Sequence, residues 1–518
     1  MRFMSSLERA VQTRGRFPAV IDGETTRTWA EVGERVARLA GGLAAMGVEP
    51  GDRVAILAMN SADYLEALYA IARAGAVSVP LNTRWSVEET AAALLDFTPR
   101  LLIVDAAFRD QAPELRRRAG IASAIHMGPG PVPAEMAGHE ALIAAHAPLP
   151  DRSGSGEDLC SLCYTGGTTG RSKGVMLTHA NLTFAAVNWI ASLHFSDETV
   201  FLHSAGFFHL AGSIPLFALT MAGGTHVLLP KFDAEAAMAT IQRHRVTYCL
   251  FVPTMINTLI HHPRSADYDL SSLRLIEYGA SPISLSVLEA AMARLPDCAF
   301  IQGYGLTEAT ALTLSLPWRH HFESDEGPSK RAATGRAAYG IDVRIAPPGG
   351  GEELPRGEAG EILLRGPQIT PGYWNLPEQT AAAFHDGWLL TGDGGFMDAD
   401  GFVHITDRVK DMIVSGGENV YSKEVENAIF AHPAVQDCAV IAIPSEEWGE
   451  AVHAVVVFRA GRTASLEEIR AHCRERLAGY KCPRSLEVRD ALPLSAAGKI
   501  VKAELRAPWW ADRRRSVG

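Results

Sequence analysis

Tyr164-Thr165-Gly166-Gly167-Thr168-Thr169-Gly170-Arg171-Ser172-Lys173-Gly174 gathers four glycines, three threonines, one arginine and one lysine into eleven residues. It follows directly on the apolar run 159–164. Glycine leaves no Cβ in the way of inward-turned N–H groups, threonine adds hydroxyl donors and the two cations add positive charge. That combination suits a polyphosphate. The spacing is not that of a P-loop, because no Gly-Lys-Ser/Thr stands four residues after a glycine. A flexible glycine hairpin has the same composition, so the loop alone leaves both readings open.

On the N-terminal side of this loop, Trp29, Val32, Val36, Leu39 and Leu43 recur at helical spacing and the pattern stops at Gly47, which predicts an amphipathic helix over 28–47. Strands are expected at 53–59, 76–80 and 101–104, with a helix at 64–73. The stretch 131–156 is rich in Ala, Pro, Gly and Ser without a sustained period and reads as a connector. Beyond the loop the alternation resumes with a helix over 181–192 and strands at 200–203, 226–229, 248–252 and 273–278. Such alternation predicts an α/β fold with mainly parallel sheets. Several unusual motifs follow these strands at their C-terminal ends, where open α/β sheets bind ligands. From 341 to 406 short strands separated by Gly, Pro and Asp predict a small β-rich unit. After 410 an α+β module is expected, with strands 438–443 and 451–458 and a helix 466–477, long enough to form a domain of its own.

A chain of 518 residues is too long for one core, so at least two domains are expected. Apolar residues at 47% and charged residues at 21% fit a soluble globular enzyme. The balance of 48 basic against 59 acidic residues, a net charge of -11, argues against a nucleic-acid partner. Residues 1–10 lack the apolar core of a signal peptide. The most apolar region, 201–230, is interrupted by His203, His209 and Pro215, so no transmembrane segment is expected and a cytoplasmic location is. Seven scattered cysteines fit a reducing compartment. Cys160 and Cys163 form a C-x-x-C, but without a second close pair they read as buried strand residues. The pairs His261-His262 and His320-His321 read as solvated loop histidines.

Further stretches line up behind the opening loop in one order. They are Phe208-His209-Leu210-Ala211-Gly212, Gly279-Ala280-Ser281-Pro282, Gln302-Gly303-Tyr304-Gly305-Leu306-Thr307-Glu308 and Thr391-Gly392-Asp393. Asp407-Arg408-Val409-Lys410-Asp411 runs on to Ser415-Gly416-Gly417-Glu418-Asn419, and Pro493-Leu494-Ser495-Ala496-Ala497-Gly498-Lys499 closes the series. The set resembles the adenylate-forming superfamily of acyl-CoA synthetases, carrier-protein adenylation domains and firefly-type luciferases, over nearly the whole chain. It differs from the usual pattern at Gly166, where serine is common, and at Ser172, where proline is common.

The resemblance implies a large multi-layer N-terminal domain over 1–406, a hinge at 407–410 and a small mobile α+β domain over 411–518. It also implies a two-step reaction: a carboxylate attacks the α-phosphate of ATP to give an acyl-adenylate and pyrophosphate, and the thiol of CoA then displaces AMP. By the same resemblance Thr165, Gly166, Gly167, Thr168, Thr169, Gly170 and Lys173 would hold the phosphates. Gly279, Ala280, Ser281, Gln302, Gly303 and Tyr304 would form the adenine slot. Thr307 would contact the α-phosphate, Glu308 with Thr165 would bind Mg²⁺, Asp393 would bind the ribose hydroxyls and Arg408 would add charge beside them. The neighbouring Asp398, Asp400 and Gly401 read as an ordinary turn.

Lys499 is the expected catalytic lysine, brought to the α-phosphate by closure of the domains about Lys410. Only its place in the motif separates it from Lys502. Ser415, Gly416, Gly417 and Trp448 would approach CoA. Phe207, Phe208, His209, Leu210, Val252, Gly303 and Thr310 would line the acyl pocket, with His209 between it and the ATP site as a gate. This lining carries no acid placed for an ammonium group, which favours a fatty or aryl acid over an amino acid. The resemblance leaves open a carrier protein in place of CoA as acceptor, and a non-catalytic nucleotide-binding relative. It also leaves open the oligomeric state, a homodimer included.

Overall fold

The computed structural model describes residues 2–165, 172–280, 283–322, 329–408, 411–415, 418–445, 447–494 and 500–510. The chain divides into two compact units, Met1–Asp342 with Leu364–Phe384, and Val343–Leu363 with His385–Gly518. The β-rich stretch after 342 is thus grouped with the C-terminal part.

The first unit holds two large sheets. In the seven-stranded one the order is Ala137–Gly138, Ser123–Met127, Leu101–Asp105, Arg53–Leu57, Val77–Pro80, Leu159–Thr165 and Lys173–Thr178. Its pairs are parallel up to the last, which is the antiparallel hairpin carrying the glycine loop. In the nine-stranded sheet the order is Arg336–Ala337, Ala311–Leu316, Ala299–Leu306, Leu275–Gly279, Tyr248–Phe251, Val200–His203, Thr225–Leu228, Pro18–Asp22 and Thr25–Thr28. Its interior is parallel and both ends are antiparallel. The inner strands are short, apolar and buried on both faces, as parallel strands covered by helices must be. The α/β expectation therefore holds.

The helix expected over 28–47 is Trp29–Ala45, started by a capping box between Thr28 and Glu31. The structure departs from the sequence reading over 131–156, where a helix, His139–Ala145, replaces the expected connector. Its Leu142 and Ile143 are buried, and Leu142 lies against Gly42 of the Trp29–Ala45 helix, where an added Cβ would come within 2.9 Å. Tertiary burial thus overrides a composition that lacks a period. Cys160 and Cys163 are buried as expected, and burial pushes the Cys163 thiol up to about 12. His321 corrects the reading of both histidine pairs as solvated, because it is fully buried.

In the second unit one sheet is built around Gly360–Arg365, Trp388–Met397 and Val403–Arg408. The other runs Glu418–Val420, Ile413–Ser415, Gly449–Phe458 and Val435–Ser445, with Ser485–Val488 parallel to Gly449–Phe458. Among the described residues no helix is long and apolar enough to cross a membrane.

One buried ion cluster fastens the start of the first unit. Glu66, on the helix Ala62–Arg73, is fully buried and accepts from Arg27 Nη1 at 2.8 Å and from Arg35 Nε at 2.8 Å, with His139 Nε2 at 3.1 Å. It joins three elements that are distant in sequence. Removing one partner of such a cluster strands buried charge, so Glu66→Ala is expected to cost about 3–5 kcal/mol in urea unfolding. Glu66→Gln, which keeps an acceptor, is expected to cost less.

Candidate active site

Three glycines bring the strand ends of the nine-stranded sheet together. Gly279 and Gly303 are register partners, and a Cβ on Gly279 would come within 2.0 Å of the Gly303 carbonyl. A Cβ on Gly305 would overlap the Ala311 carbonyl. Backbone approach this close admits only glycine. Ala280, next along, has φ +62°, a left-handed conformation that turns the chain off the strand. Tyr304 is half-buried on the adjoining strand, and its carbonyl accepts from Thr313 Oγ1 at 3.2 Å.

Gln302 is oriented from below. Tyr278 donates to Gln302 Oε1 at 3.3 Å and also meets His321 Nε2 at 2.8 Å. Burial pulls the His321 imidazole down to about 4, so it is neutral near pH 7. No spacing in the sequence marks His321 for this place, because it lies 43 residues from Tyr278.

At the base of the glycine loop, Thr165 pairs with Lys173 across the hairpin. Lys173 Nζ sits 4.9 Å from the centroid of the Tyr373 ring. Tyr373 Oη donates to Glu308 Oε1 at 3.0 Å, and Thr370 N donates to the Glu308 carbonyl at 2.8 Å. The segment is tied to the hairpin by Trp374 N to the Gly174 carbonyl and Met176 N to the Gly372 carbonyl. Loop lysine and glutamate, 135 positions apart (308 minus 173), are therefore joined through one tyrosine. Burial and the neighbouring Glu308 both push the Tyr373 phenol up, so it stays a donor. The half-buried Glu308 carboxylate, with one oxygen held in this way, is a hard-oxygen donor of the kind a divalent cation prefers. Thr307 opens the short turn Thr307–Ala309 that presents Glu308.

Thr310 follows at φ +49°, fully buried, with its hydroxyl on the Gln368 carbonyl at 2.5 Å. Gln368 in turn donates to the Ala309 and Leu312 carbonyls, both at 2.8 Å. Of the other expected acyl-pocket residues, Phe207 is fully buried, packed edge-on to Tyr64 with centroids 5.5 Å apart. Its N–H donates to Asn60 Oδ1 at 2.9 Å. The Phe208 ring lies tilted beside that of His209, centroids 4.3 Å apart, and His209 is exposed at the start of the helix Leu210–Ala222. Leu210 is buried in the same apolar cluster as Phe207, and Val252 precedes the helix Pro253–Ile260. Glu277, 3% exposed, lies against Gly303.

In the second unit, Asp393 is buried in a locked turn. Its N–H donates to Thr391 Oγ1 at 3.0 Å, and Thr391 Oγ1 donates to the Ile362 carbonyl at 2.7 Å. Glu361 accepts from Gly392 N at 2.9 Å and from Gly349 N at 2.8 Å, a brace that the sequence did not reveal. Arg408 is the register partner of Asp393 across the hairpin. Asp398 caps its own turn, accepting from Asp400 N and Phe402 N, as the sequence reading expected of an ordinary turn.

Ser415 pairs with Gly449, and the Arg484 guanidinium covers one face of Trp448 at 4.0 Å. Lys502 is committed within its own unit, paired with Glu426 at 2.8 Å. Gly166, Gly167, Thr168, Thr169, Gly170, Ser281, Lys410, Gly416, Gly417 and Lys499 lie outside the described residues.

Residues 7–374 match the family model of the AMP-binding enzymes, and residues 424–499 match that of the AMP-binding enzyme C-terminal domain. A feruloyl-CoA synthase from Amycolatopsis sp. is 43% identical over 490 residues, covering 94% of this chain and 95% of that protein. A fatty acid–[acyl-carrier-protein] ligase from Streptomyces coeruleorubidus is 35% identical, covering 96% and 95%. Among solved structures, o-succinylbenzoate CoA synthetase from Bacillus subtilis, in complex with its acyl-adenylate intermediate, superposes with a TM-score of 0.84 at 30% identity over 98% of both chains.

The unfolded chain protonates a histidine near pH 6.5 and the folded chain protonates His321 only near 4. Stability contributed by the neutral imidazole is therefore complete above pH 6.5 and is lost as pH falls from there towards 4. Urea unfolding at pH 7 and pH 5 is expected to show a drop that is about 1–2 kcal/mol smaller in His321→Gln than in the parent.

Proposed function

Because the chain belongs to the AMP-binding enzyme family, we infer that it is an AMP-forming acid–CoA ligase whose preferred substrate is an aromatic carboxylic acid. The observation that carries this reading is the joining of Lys173, Tyr373 and Glu308 at the base of the glycine loop, in a chain similar over nearly its full length to a feruloyl-CoA synthase. ATP and CoA are the co-substrates.

In this reading the loop 165–170 with Lys173 binds the β- and γ-phosphates, and Gly279, Ala280, Ser281, Gln302, Gly303 and Tyr304 hold adenine. Asp393 takes the ribose hydroxyls, with Arg408 beside it. Glu308 and Thr165 hold Mg²⁺, which when bound offsets charge on the triphosphate oxygens. Thr307 and Lys499 stabilise the α-phosphate as the carboxylate attacks it. Charge placed against developing negative oxygens is the main source of catalysis in such transfers. Residues 1–406 and 411–518 act as two domains that move about Lys410, and Ser415, Gly416, Gly417 and Trp448 then receive CoA. His209 gates the acyl pocket, and the enzyme works in the cytoplasm.

A second acceptor, a carrier protein, is favoured by the similarity to a carrier-protein ligase. Pyrophosphate release over a panel of carboxylates, followed by thioester formation with CoA or with a carrier protein, separates the two. Release with aromatic acids and thioester with CoA is expected, whereas release with amino acids alone would overturn the reading. Lys499→Ala is expected to slow adenylation by about a hundredfold or more.

Tyr373 becomes a positioning residue, because it acts through Glu308. A hydrogen bond to a charged group contributes about 1.5–3 kcal/mol, so Tyr373→Phe is expected to raise KM for ATP by about tenfold or more. KM for the acid should change by less than about threefold, since the lost bond lies on the phosphate side. Equal effects on both constants would place Tyr373 elsewhere in the mechanism.

A further inference from the structure

Asp393 follows Gly392, whose φ of +68° is left-handed and whose missing side chain leaves many backbone conformations open. A glycine does not hold such a turn by itself, so the direction in which the Asp393 carboxylate leaves the backbone has to be fixed from outside. The strand Gly360–Arg365 fixes it at two successive peptide groups. Glu361 Oε1 accepts from Gly392 N at 2.9 Å. One residue along the strand, the Ile362 carbonyl accepts from Thr391 Oγ1 at 2.7 Å, and the same hydroxyl oxygen accepts from Asp393 N at 3.0 Å.

The second oxygen of Glu361 is occupied as well. Oε2 accepts from Gly349 N at 2.8 Å, and Gly349 is itself left-handed at φ +85°. Glu361 is 5% exposed, and among the described residues no lysine or arginine pairs with it. Its two partners are main-chain donors, which cannot swing away as a lysine side chain can, and hydrogen bonds to a carboxylate are the stronger kind. One buried side chain therefore sets the distance between two glycine turns, and the second of these turns ends at Asp393, which is buried to the same degree.

We propose that Glu361 is a positioning residue for nucleotide binding, which acts through the Gly392 peptide group to aim the Asp393 carboxylate at the ribose hydroxyls of ATP. The inference rests on the acid–CoA ligase reading, with ribose at Asp393, and adds to it a residue that works at one remove from the nucleotide. Two hydroxyls on one sugar ring are met by the two oxygens of a carboxylate only in one orientation. A turn held in that orientation before ATP arrives spares binding the cost of ordering it. A brace that served the fold alone would treat alike a nucleotide with ribose hydroxyls and one without them.

The test measures kcat/KM by pyrophosphate release with ATP and with 2′,3′-dideoxy-ATP, which offers Asp393 no hydroxyl. Glu361→Gln keeps the size of the side chain but sets an amide N–H against one of the two glycine donors, and Glu361→Met removes both acceptors. Glu361→Met is expected to lower kcat/KM for ATP by about tenfold or more, through KM, and to leave that for the dideoxy nucleotide within about threefold of the parent. Glu361→Gln is expected to fall between the two, and KM for the acid should move by less than about threefold in either variant. An equal loss with both nucleotides is the result of a merely structural role and overturns the proposal. So does an undiminished preference for ATP in both variants. Should Glu361→Met not fold, Glu361→Gln decides by the same comparison. A parent that uses both nucleotides equally well removes ribose from Asp393 and overturns this proposal alone; no pyrophosphate with any carboxylic acid sinks the ligase reading and this inference with it.

Discussion

The candidate site of the first unit depends on how closely neighbouring strand ends approach one another. Gly279 lies so near the Gly303 carbonyl, and Gly305 so near that of Ala311, that any side chain would have to push backbone aside. Packed interiors resist such shifts, because backbone cannot rotate away as a flexible side chain can. The bare glycines produce a surface made of peptide groups, and what projects over it comes from neighbours: Tyr304 from the same strand, the Glu277 carboxyl from beneath, and Glu308 from the turn that follows. Position in the site is thus set by the absence of side chains at three places as much as by their presence elsewhere.

The parts legible in the sequence were those in which chemistry and spacing are local. The glycine loop, the strand-end glycines, Tyr304, Glu308 and Asp393 each sit in a short motif, and the alternation of apolar runs predicted the parallel sheets. The parts that were not legible are contacts made across long sequence separations. Tyr373 reaches Glu308 across 65 residues, and His321 reaches Tyr278 across 43. Neither partner carries a local signal. Tyr373 lies in an irregular segment where an aromatic ring reads as packing, and His321 stands beside His320, which made both look solvated. The helix His139–Ala145 was missed for a related reason: its stability comes from burial against another helix, not from a period of its own.

Buried polar groups separate structural from functional candidates more sharply than composition does. Glu66, Gln368 and Asn188 are all buried, and each has its hydrogen bonds completed by protein groups. His203 and His226 complete one another, with Thr220 taking the remaining nitrogen of His226. These residues hold elements together. Glu277 Oε2 and Ser315 Oγ differ in being buried without a hydrogen-bond partner among the described residues.

The same reasoning applies to the two lysines near the C-terminus. Lys502 has an obvious occupation: it starts the helix Lys502–Trp510 and is paired with Glu426, which also accepts from the Val440 N–H and lies 3.5 Å from Lys423 Nζ. A lysine so engaged would have to give up this ion pair in order to serve a phosphate. Lys499 is preceded in the sequence by Ser495, Ala496, Ala497 and Gly498 and followed by Ile500 and Val501. The structure thus gives Lys502 a role within its own unit.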